Sequence, residues 1–176
     1  MNENYFQLFG LPVGFAVDAE TLALRYRDLQ RAAHPDRYAG ASERERLLSV
    51  QQAALINEAY RTLKDPLARA RYLLELSGIT LSDTDTRMDP MFLLEQMELR
   101  EALAAAPRAA DPYAALDQVR TTAEATERHL VEELAALFQR GGEALQEVPE
   151  RLRKLQFMRK LLEEVDARED DLAHNS

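Results

Sequence analysis

The chain has 176 residues, among which are 28 Leu and 27 Ala but only nine Val and Ile together. Because strong helix formers far outnumber β-branched residues, this composition predicts a mainly helical fold of one large or two small domains. The 31 acidic residues exceed the 22 basic ones, which gives a net charge of −9. That balance argues against a nucleic-acid binder, because neutralising phosphates requires surplus Lys and Arg.

The absence of cysteine excludes a disulfide framework, a thiolate metal site and a cysteine nucleophile. No apolar run approaches the roughly 20 residues of a membrane span. The N-terminal residues lack the basic and apolar segments of a signal peptide, so we expect a cytoplasmic protein that does not enter a membrane. The three histidines lack metal-ligand spacing, and no metal site is expected.

Charge is distributed unevenly along the chain. Residues 1–74 carry 10 basic and 9 acidic side chains, whereas residues 75–176 carry 12 and 22. This asymmetry predicts two units with different partners. A helix stop at Ser77-Gly78 and the Thr-, Asp- and Ser-rich residues after it indicate a connection between the units. We expect an N-terminal domain at 1–76, a linker at 77–89 and a C-terminal helical domain at 90–172.

The N-terminal domain is predicted to contain four helices, at about 4–9, 18–34, 42–65 and 66–76. Apolar residues on the second helix are Leu22, Tyr26, Leu29 and Ala33. The predicted stripe on the third helix is Leu48, Gln52, Ile56, Ala59, Tyr60 and Leu63. These two helices can pack as an antiparallel hairpin, whose tip is the loop 34–40. The second helix must end near His34, because Pro35 disfavours the α conformation in the residue before it.

The tip of this hairpin carries the sequence His34-Pro35-Asp36. Alone, the tripeptide is typical of a turn, since Pro ends the helix and Asp favours turns. Catalysis by His34, oriented by Asp36, would need a nearby nucleophile or cleft, which an exposed tip does not offer. The chain also lacks a glycine-rich phosphate loop. We therefore expect no catalytic residues, no cofactor and no enzymatic activity of its own.

The segment 26–37 resembles the signature of J domains, and 56–63 follows at the spacing of the third J-domain helix. The resemblance implies that the loop and the adjoining face of the second helix contact the ATPase part of a DnaK-type chaperone and stimulate ATP hydrolysis. Carried over to this chain, that role belongs to His34, Pro35 and Asp36.

Three arginines adjoin this tripeptide. Arg27 and Arg31 lie one turn apart on an exposed face of the second helix, suited to an acidic partner surface. Arg37 stands where J domains usually carry Lys, and it keeps the positive charge. We predict that all three contribute to chaperone binding. The alternative for the two helix residues is an ordinary solvated helix face.

The C-terminal domain is predicted to be a three-helix bundle. Asp89-Pro90 and Asp111-Pro112 combine an N-cap with a first-turn proline, and open helices at about 90–105 and 112–140. Gly141-Gly142 then breaks the chain before a last helix at about 143–171. We expect a kink or restart at Pro149 within that last helix. Short loops make consecutive helices antiparallel.

The helix that begins at Pro90 is apolar on two sides. Phe92, Leu99 and Leu103 share one face, while Leu93, Leu94 and Met97 lie on another, beside Glu98, Arg100 and Glu101. On the last helix, Phe157 lies off the core stripe. Such surplus apolar residues are either buried in an ordinary bundle or form a partner site with a charged rim.

Nearly the whole chain resembles the HscB family of co-chaperones. The segments that carry the resemblance are 4–11, 66–74, 92–101 and 153–157. In that family the bundle binds the iron–sulfur scaffold protein IscU through an apolar patch. By position, the resemblance assigns scaffold binding to Leu93, Leu94, Met97 and Phe157, with Glu98, Arg100 and Glu101 on the rim.

The sequence thus predicts an all-α co-chaperone in iron–sulfur cluster assembly. It would deliver an IscU-type scaffold to a DnaK/HscA-type chaperone and stimulate the ATPase of that chaperone. We expect a monomer that binds neither nucleic acid nor membrane. Two alternatives remain at this point: a J-domain co-chaperone for a different client, and a helical adaptor without a chaperone role.

Overall fold

A computed structural model of the protein describes residues 3–82 and 84–175. Those residues form helices, turns and loops without any β-strand, which confirms the predicted all-α fold. The chain divides into two compact units, Met1–Ile79 and Thr80–Ser176. The finer domain limits, with a linker at 77–89, stay a prediction. Within the described part of the chain, no helix has the length and apolar character needed to cross a membrane.

The described residues of the first unit, 3–79, form four α-helices and one 3₁₀ turn. The α-helices are α1 (Tyr5–Leu8), α2 (Ala19–Ala33), α3 (Glu43–Lys64) and α4 (Pro66–Leu76). The side chain of Asp18 caps α2 by accepting the Glu20 N–H, and Ser42 and Glu45 form a capping box at the start of α3. The 3₁₀ turn, Pro35–Tyr38, directly follows α2.

A stacked pair of tyrosines fixes α2 against α3. The rings of Tyr26 and Tyr60 lie 4.0 Å apart between centroids, with an interplanar angle of 11°. The Tyr26 hydroxyl donates to the Asn57 side-chain oxygen at 2.7 Å and accepts from the Gln30 amide at 2.9 Å. This network secures the hairpin that carries the tip loop.

The predicted apolar stripe of α3 is wrong at its N-terminal end. Leu48 and Gln52 are exposed, whereas Ser49 is buried and donates its hydroxyl to the Arg46 carbonyl. Ser49 lies two turns before the buried Ile56, on the same side of the helix. Leu48 lies about 100° further round, because successive residues turn by that angle.

A buried arginine joins α3 to α4. Arg69 is 9% exposed, and its Nη1 donates to the Leu63 carbonyl at 2.7 Å. Its guanidinium lies 4.7 Å from the centroid of the Phe15 ring. Burial lowers the pKa of Arg69 below its ordinary value, and Asp65 opposes that shift. The side chain therefore satisfies a carbonyl at the end of α3 and covers an aromatic ring.

Replacement of Arg69 by Met should lower the free energy of unfolding by about 2–3 kcal/mol, since it removes a buried charged hydrogen bond and leaves the carbonyl unsatisfied. Urea unfolding followed by circular dichroism measures this change. The exposed neighbour Arg71 is the control, and Arg71→Met should stay within about 0.5 kcal/mol of the parent. Equal stability of the two variants would contradict the role given to Arg69.

The second unit is a bundle of α5 (Pro90–Ala105), α6 (Pro112–Arg140) and α7 (Val148–His174). Residues Gly142–Glu147 form a 3₁₀ segment before α7. The restart predicted at Pro149 is present, because the 3₁₀ segment ends at Glu147 and α7 begins at Val148. Pro149 lies in the first turn of α7, where its missing N–H has no helical partner to lose.

Cross-helix contacts show how the bundle is arranged. Lys154 Nζ lies 3.4 Å from Asp89 Oδ2, and Arg100 pairs with Glu164 at 3.2 Å. These pairs have sequence separations of 65 and 64 residues, so α5 and α7 run parallel and in constant register. Arg120 on α6 donates to carboxylates of the antiparallel α7 at 2.7 Å.

The spacing of apolar residues predicts one core stripe on α6 (Leu116, Val119, Ala123, Leu130, Leu134 and Leu137) and one on α7 (Leu152, Leu155, Met158, Leu162 and Val165). Buried residues of α6 and α7 are Leu116, Val119, Ala123, Leu130, Leu134, Leu137, Val148, Leu152, Leu155, Met158, Leu161 and Val165. In α7, Leu161 is fully buried where the spacing pointed to Leu162, which is only partly covered. The contribution of α5 to the core is Phe92, Gln96 and Leu103.

Candidate functional site

The tip of the α2–α3 hairpin has a defined local structure. His34 adopts an extended conformation after the last residue of α2, and Pro35 opens the 3₁₀ turn. The Asp36 N–H donates to His34 Nδ1 at 3.2 Å, and the Arg37 N–H donates to the His34 carbonyl at 3.0 Å. Because Nδ1 accepts a hydrogen bond, the neutral ring carries its proton on Nε2 and can donate it outward.

The polar side chains at the tip face solvent. The side chain of His34 is 55% exposed and that of Asp36 is 92% exposed, with 3.6 Å between His34 Nδ1 and Asp36 Oδ2. The Tyr38 hydroxyl reaches back to the Ala32 carbonyl at 3.4 Å. The tip thus presents a donor and a carboxylate on a braced turn, an arrangement suited to binding another protein.

A basic surface adjoins the tip. Arg27, Arg31 and Arg37 are all exposed. Arg31 has only a long contact to Asp28, at 4.0 Å, between two strongly exposed side chains. In the described part of the chain, Arg27 and Arg37 form no ion pair. These charges are therefore available to an acidic surface.

Exposed apolar side chains follow one side of α5. Leu93, Leu94 and Met97 are 42%, 50% and 59% exposed, and we call these three residues the α5 patch. The carboxylates of Glu98 and Glu101 lie exposed beside it. Apolar side chains with a charged border are typical of a protein-binding surface.

Met91 is a further exposed apolar residue of α5, missed by the sequence analysis. It is 62% exposed and directly follows Pro90, which begins the helix. Met91 lies in the first turn of α5 and outside the spacing of the core residues. That position is the signal in the sequence from which its exposure could have been predicted.

Phe157 and Arg100 differ in exposure from the α5 patch. Phe157 is half-buried, and its ring centroid lies 6.4 Å from that of the buried Phe92, so less of it is accessible than of the α5 patch. Arg100 is bound to Glu164 through both carboxylate oxygens at 3.2 Å. Arg100 therefore ties α5 to α7 and is less free than Glu98 or Glu101.

Comparisons with known proteins agree with this architecture. A family model described as the HSCB C-terminal oligomerisation domain matches residues 88–166. A curated protein from Vibrio cholerae serotype O1, named co-chaperone protein HscB homolog, is 49% identical over 170 residues, covering 96% of this chain and 98% of the relative. The homologue from Shewanella baltica is 44% identical with the same coverage of both chains.

Solved structures give the same likeness over the full fold. The chaperone HscB from Vibrio cholerae superposes with a TM-score of 0.87 at 48% identity, covering 97% of this chain and 99% of that one. The human co-chaperone protein HscB superposes with a TM-score of 0.86 at 32% identity, covering 96% of this chain and 83% of that one.

The two-unit helical fold and these relatives define a co-chaperone. The chain belongs to the HscB family. This finding confirms the resemblance noted from the sequence. Of the three interpretations drawn from the sequence, a helical adaptor without a chaperone role therefore has the least support.

Proposed function

We propose that the chain delivers an IscU-type iron–sulfur scaffold protein to a DnaK/HscA-type chaperone and stimulates the ATPase of that chaperone. The observation that carries this proposal is the exposed His34-Pro35-Asp36 tip, held in shape by the hydrogen bond between Asp36 N–H and His34 Nδ1. In this proposal residues 1–76 act as the J domain and residues 90–172 hold the scaffold.

The chemistry of the tip supports contact with the chaperone. The free carboxylate of Asp36 can accept a bidentate hydrogen bond from an arginine of the partner. His34 can donate from Nε2, and Pro35 limits the conformations of the turn. Arg27, Arg31 and Arg37 would attract an acidic surface of the same partner and accelerate encounter.

The α5 patch supports contact with the scaffold. Its three apolar side chains would form the centre of the interface, joined by the accessible part of the half-buried Phe157. Glu98 and Glu101 would form the charged rim and select the orientation of the partner. The ion pair of Arg100 with Glu164 would hold α5 in place.

The mechanism is bridging, and it requires no bond-making step on this chain. The scaffold bound to the bundle is carried to the chaperone whose ATPase the tip stimulates, so its effective concentration there rises. We propose that the chain is not an enzyme, uses no cofactor and acts in the cytoplasm as a monomer. The family model that matches residues 88–166 is described as an oligomerisation domain, so the monomeric state needs a direct test. Sedimentation velocity provides that test.

Steady-state ATP hydrolysis by a purified DnaK- or HscA-type chaperone tests the proposal. The chain and an IscU-type scaffold added together should raise the rate more than the sum of their separate effects. If the chain stimulates hydrolysis but has no affinity for the scaffold, the client is another protein. If neither stimulation nor affinity is observed, the co-chaperone mechanism proposed here is wrong.

A further inference from the structure

A cavity lies between α5 and α6 on the side of α5 away from Arg100. Its volume is about 440 Å³, within the roughly 300–1,000 Å³ of typical ligand pockets. Phe92, Leu99, Val119 and Met158 form part of its wall. Ala102 and Ala105 of α5, Ala115 of α6, and Ala106 and Ala109 of the connection between the two helices complete the lining, and their short side chains leave the space between the helices unfilled.

Two carboxylates stand at this cavity without a basic partner. Glu95 and Glu98 of α5 line it, and both are exposed. Neither forms an ion pair or side-chain hydrogen bond with any described residue of the chain. Gln118 and Thr122 of α6 supply further polar atoms to the lining. The cavity therefore combines an apolar wall with an uncompensated negative rim.

The cavity continues the surface of the α5 patch. With about 100° per residue, Glu98 lies about 40° round the helix from Leu94, and the exposed Met91 lies about 20° beyond Glu98. Ala102, a lining residue, follows next in the same direction. Leu94, Glu98 and Ala102 are all exposed, so a protein that covers the α5 patch can reach the cavity across Glu98 along the surface of α5.

We infer that the cavity receives a Lys or Arg side chain of the protein that binds the α5 patch. The aliphatic stem would pack against Leu99, Ala102 and Val119, and the cationic head would pair with Glu95 and Glu98. An anionic group would be repelled by the two carboxylates, and a purely apolar side chain would bury them without a partner. The identity of the partner as the scaffold rests on the proposed function.

Affinity for a purified IscU-type scaffold, measured by isothermal titration calorimetry, tests the inference. Ala102→Leu narrows the cavity at its wall and should weaken binding at least 10-fold, whereas Ala125→Leu on the exposed side of α6 should leave it unchanged. The double variant Glu95→Gln/Glu98→Gln should weaken binding 3- to 10-fold and reduce its dependence on salt, with Glu132→Gln as the control. Unchanged affinity in the Ala102 and double variants would overturn the inference.

A second measurement separates this inference from the proposed function. Butylguanidinium chloride, added to the chain alone, should shift the methyl NMR signals of Ala102 and Thr122 in a saturable way at millimolar concentration. The signal of Ala125 should not move, and the double variant should lose the effect. If the parent chain does not bind the scaffold, the client assignment in the proposed function is wrong. The NMR shifts test the cation site independently of that result, because they need no scaffold. Equal shifts of the Ala102, Thr122 and Ala125 methyl signals would show that the cation does not bind specifically in the cavity.

Discussion

Replacement of His34 by Gln is expected to abolish the stimulation of a DnaK/HscA-type ATPase while leaving the chain folded. The ring is more than half exposed, so its loss costs little packing energy. At an interface, however, the variant loses the Nε2 donor and the Nδ1 acceptor that orders Asp36. A hydrogen bond to a charged group of the partner is worth about 1.5–3 kcal/mol. Its loss should lower stimulation about 10- to 100-fold at limiting concentration, which leaves little or none to detect.

His129→Gln is the matched control for this variant. His129 is also exposed, with 70% of its side chain accessible, but it lies on α6 in the other unit. Both variants should show the same circular dichroism melting curve as the parent, and only His34→Gln should lose stimulation. Retention of stimulation within twofold by His34→Gln would refute the role proposed for the tip.

Simultaneous replacement of Leu93, Leu94 and Met97 by Ser should eliminate measurable scaffold binding. Apolar residues at the centre of an interface commonly cost 1–2 kcal/mol each when truncated, so the three changes should weaken binding by roughly 100-fold or more. The side chains are 42–59% exposed and contribute little to the core, so the melting temperature should change little. Calorimetric titration and a thermal melt measure the two effects.

The first unit provides a matched control for the triple variant. Leu47, Leu48 and Val50 of α3 are 57%, 54% and 52% exposed, close to the values for the α5 patch. Their replacement by Ser makes a comparable chemical change in the other unit and should leave scaffold binding intact. A large loss of thermal stability in the α5 variant alone would show that these residues support the core instead.

Features set by neighbouring residues along the chain were predictable from the sequence. The structure agrees with the predicted starts of the second and third helices at 18 and 42, where Asp18 and Ser42 supply the caps, and with the starts of α4, α5 and α6 at prolines. Each depends on hydrogen bonds or steric limits within about four residues, which the local sequence contains in full. The positions of the tip and of the α5 patch follow from these helix limits.

Features set by contacts between helices were not predictable in the same way. The half-buried state of Phe157 depends on Phe92, and the fixed position of Arg100 depends on Glu164, both far away in the sequence. The cavity between α5 and α6 arises where short side chains of two helices face each other. No spacing within a single helix reports such an arrangement, because alanine is compatible with a packed interior, a solvent-exposed face and an empty cleft.

The parallel register of α5 and α7 has a consequence for the kinetics of binding. Lys154–Asp89 near the start of α5 and Arg100–Glu164 further along it fasten the same helix on both sides of the α5 patch. A helix held at two points loses little conformational entropy when a partner docks on the face between them. The patch should therefore engage its partner as a preorganised surface, with association governed by diffusion and charge rather than by a preceding rearrangement of the bundle.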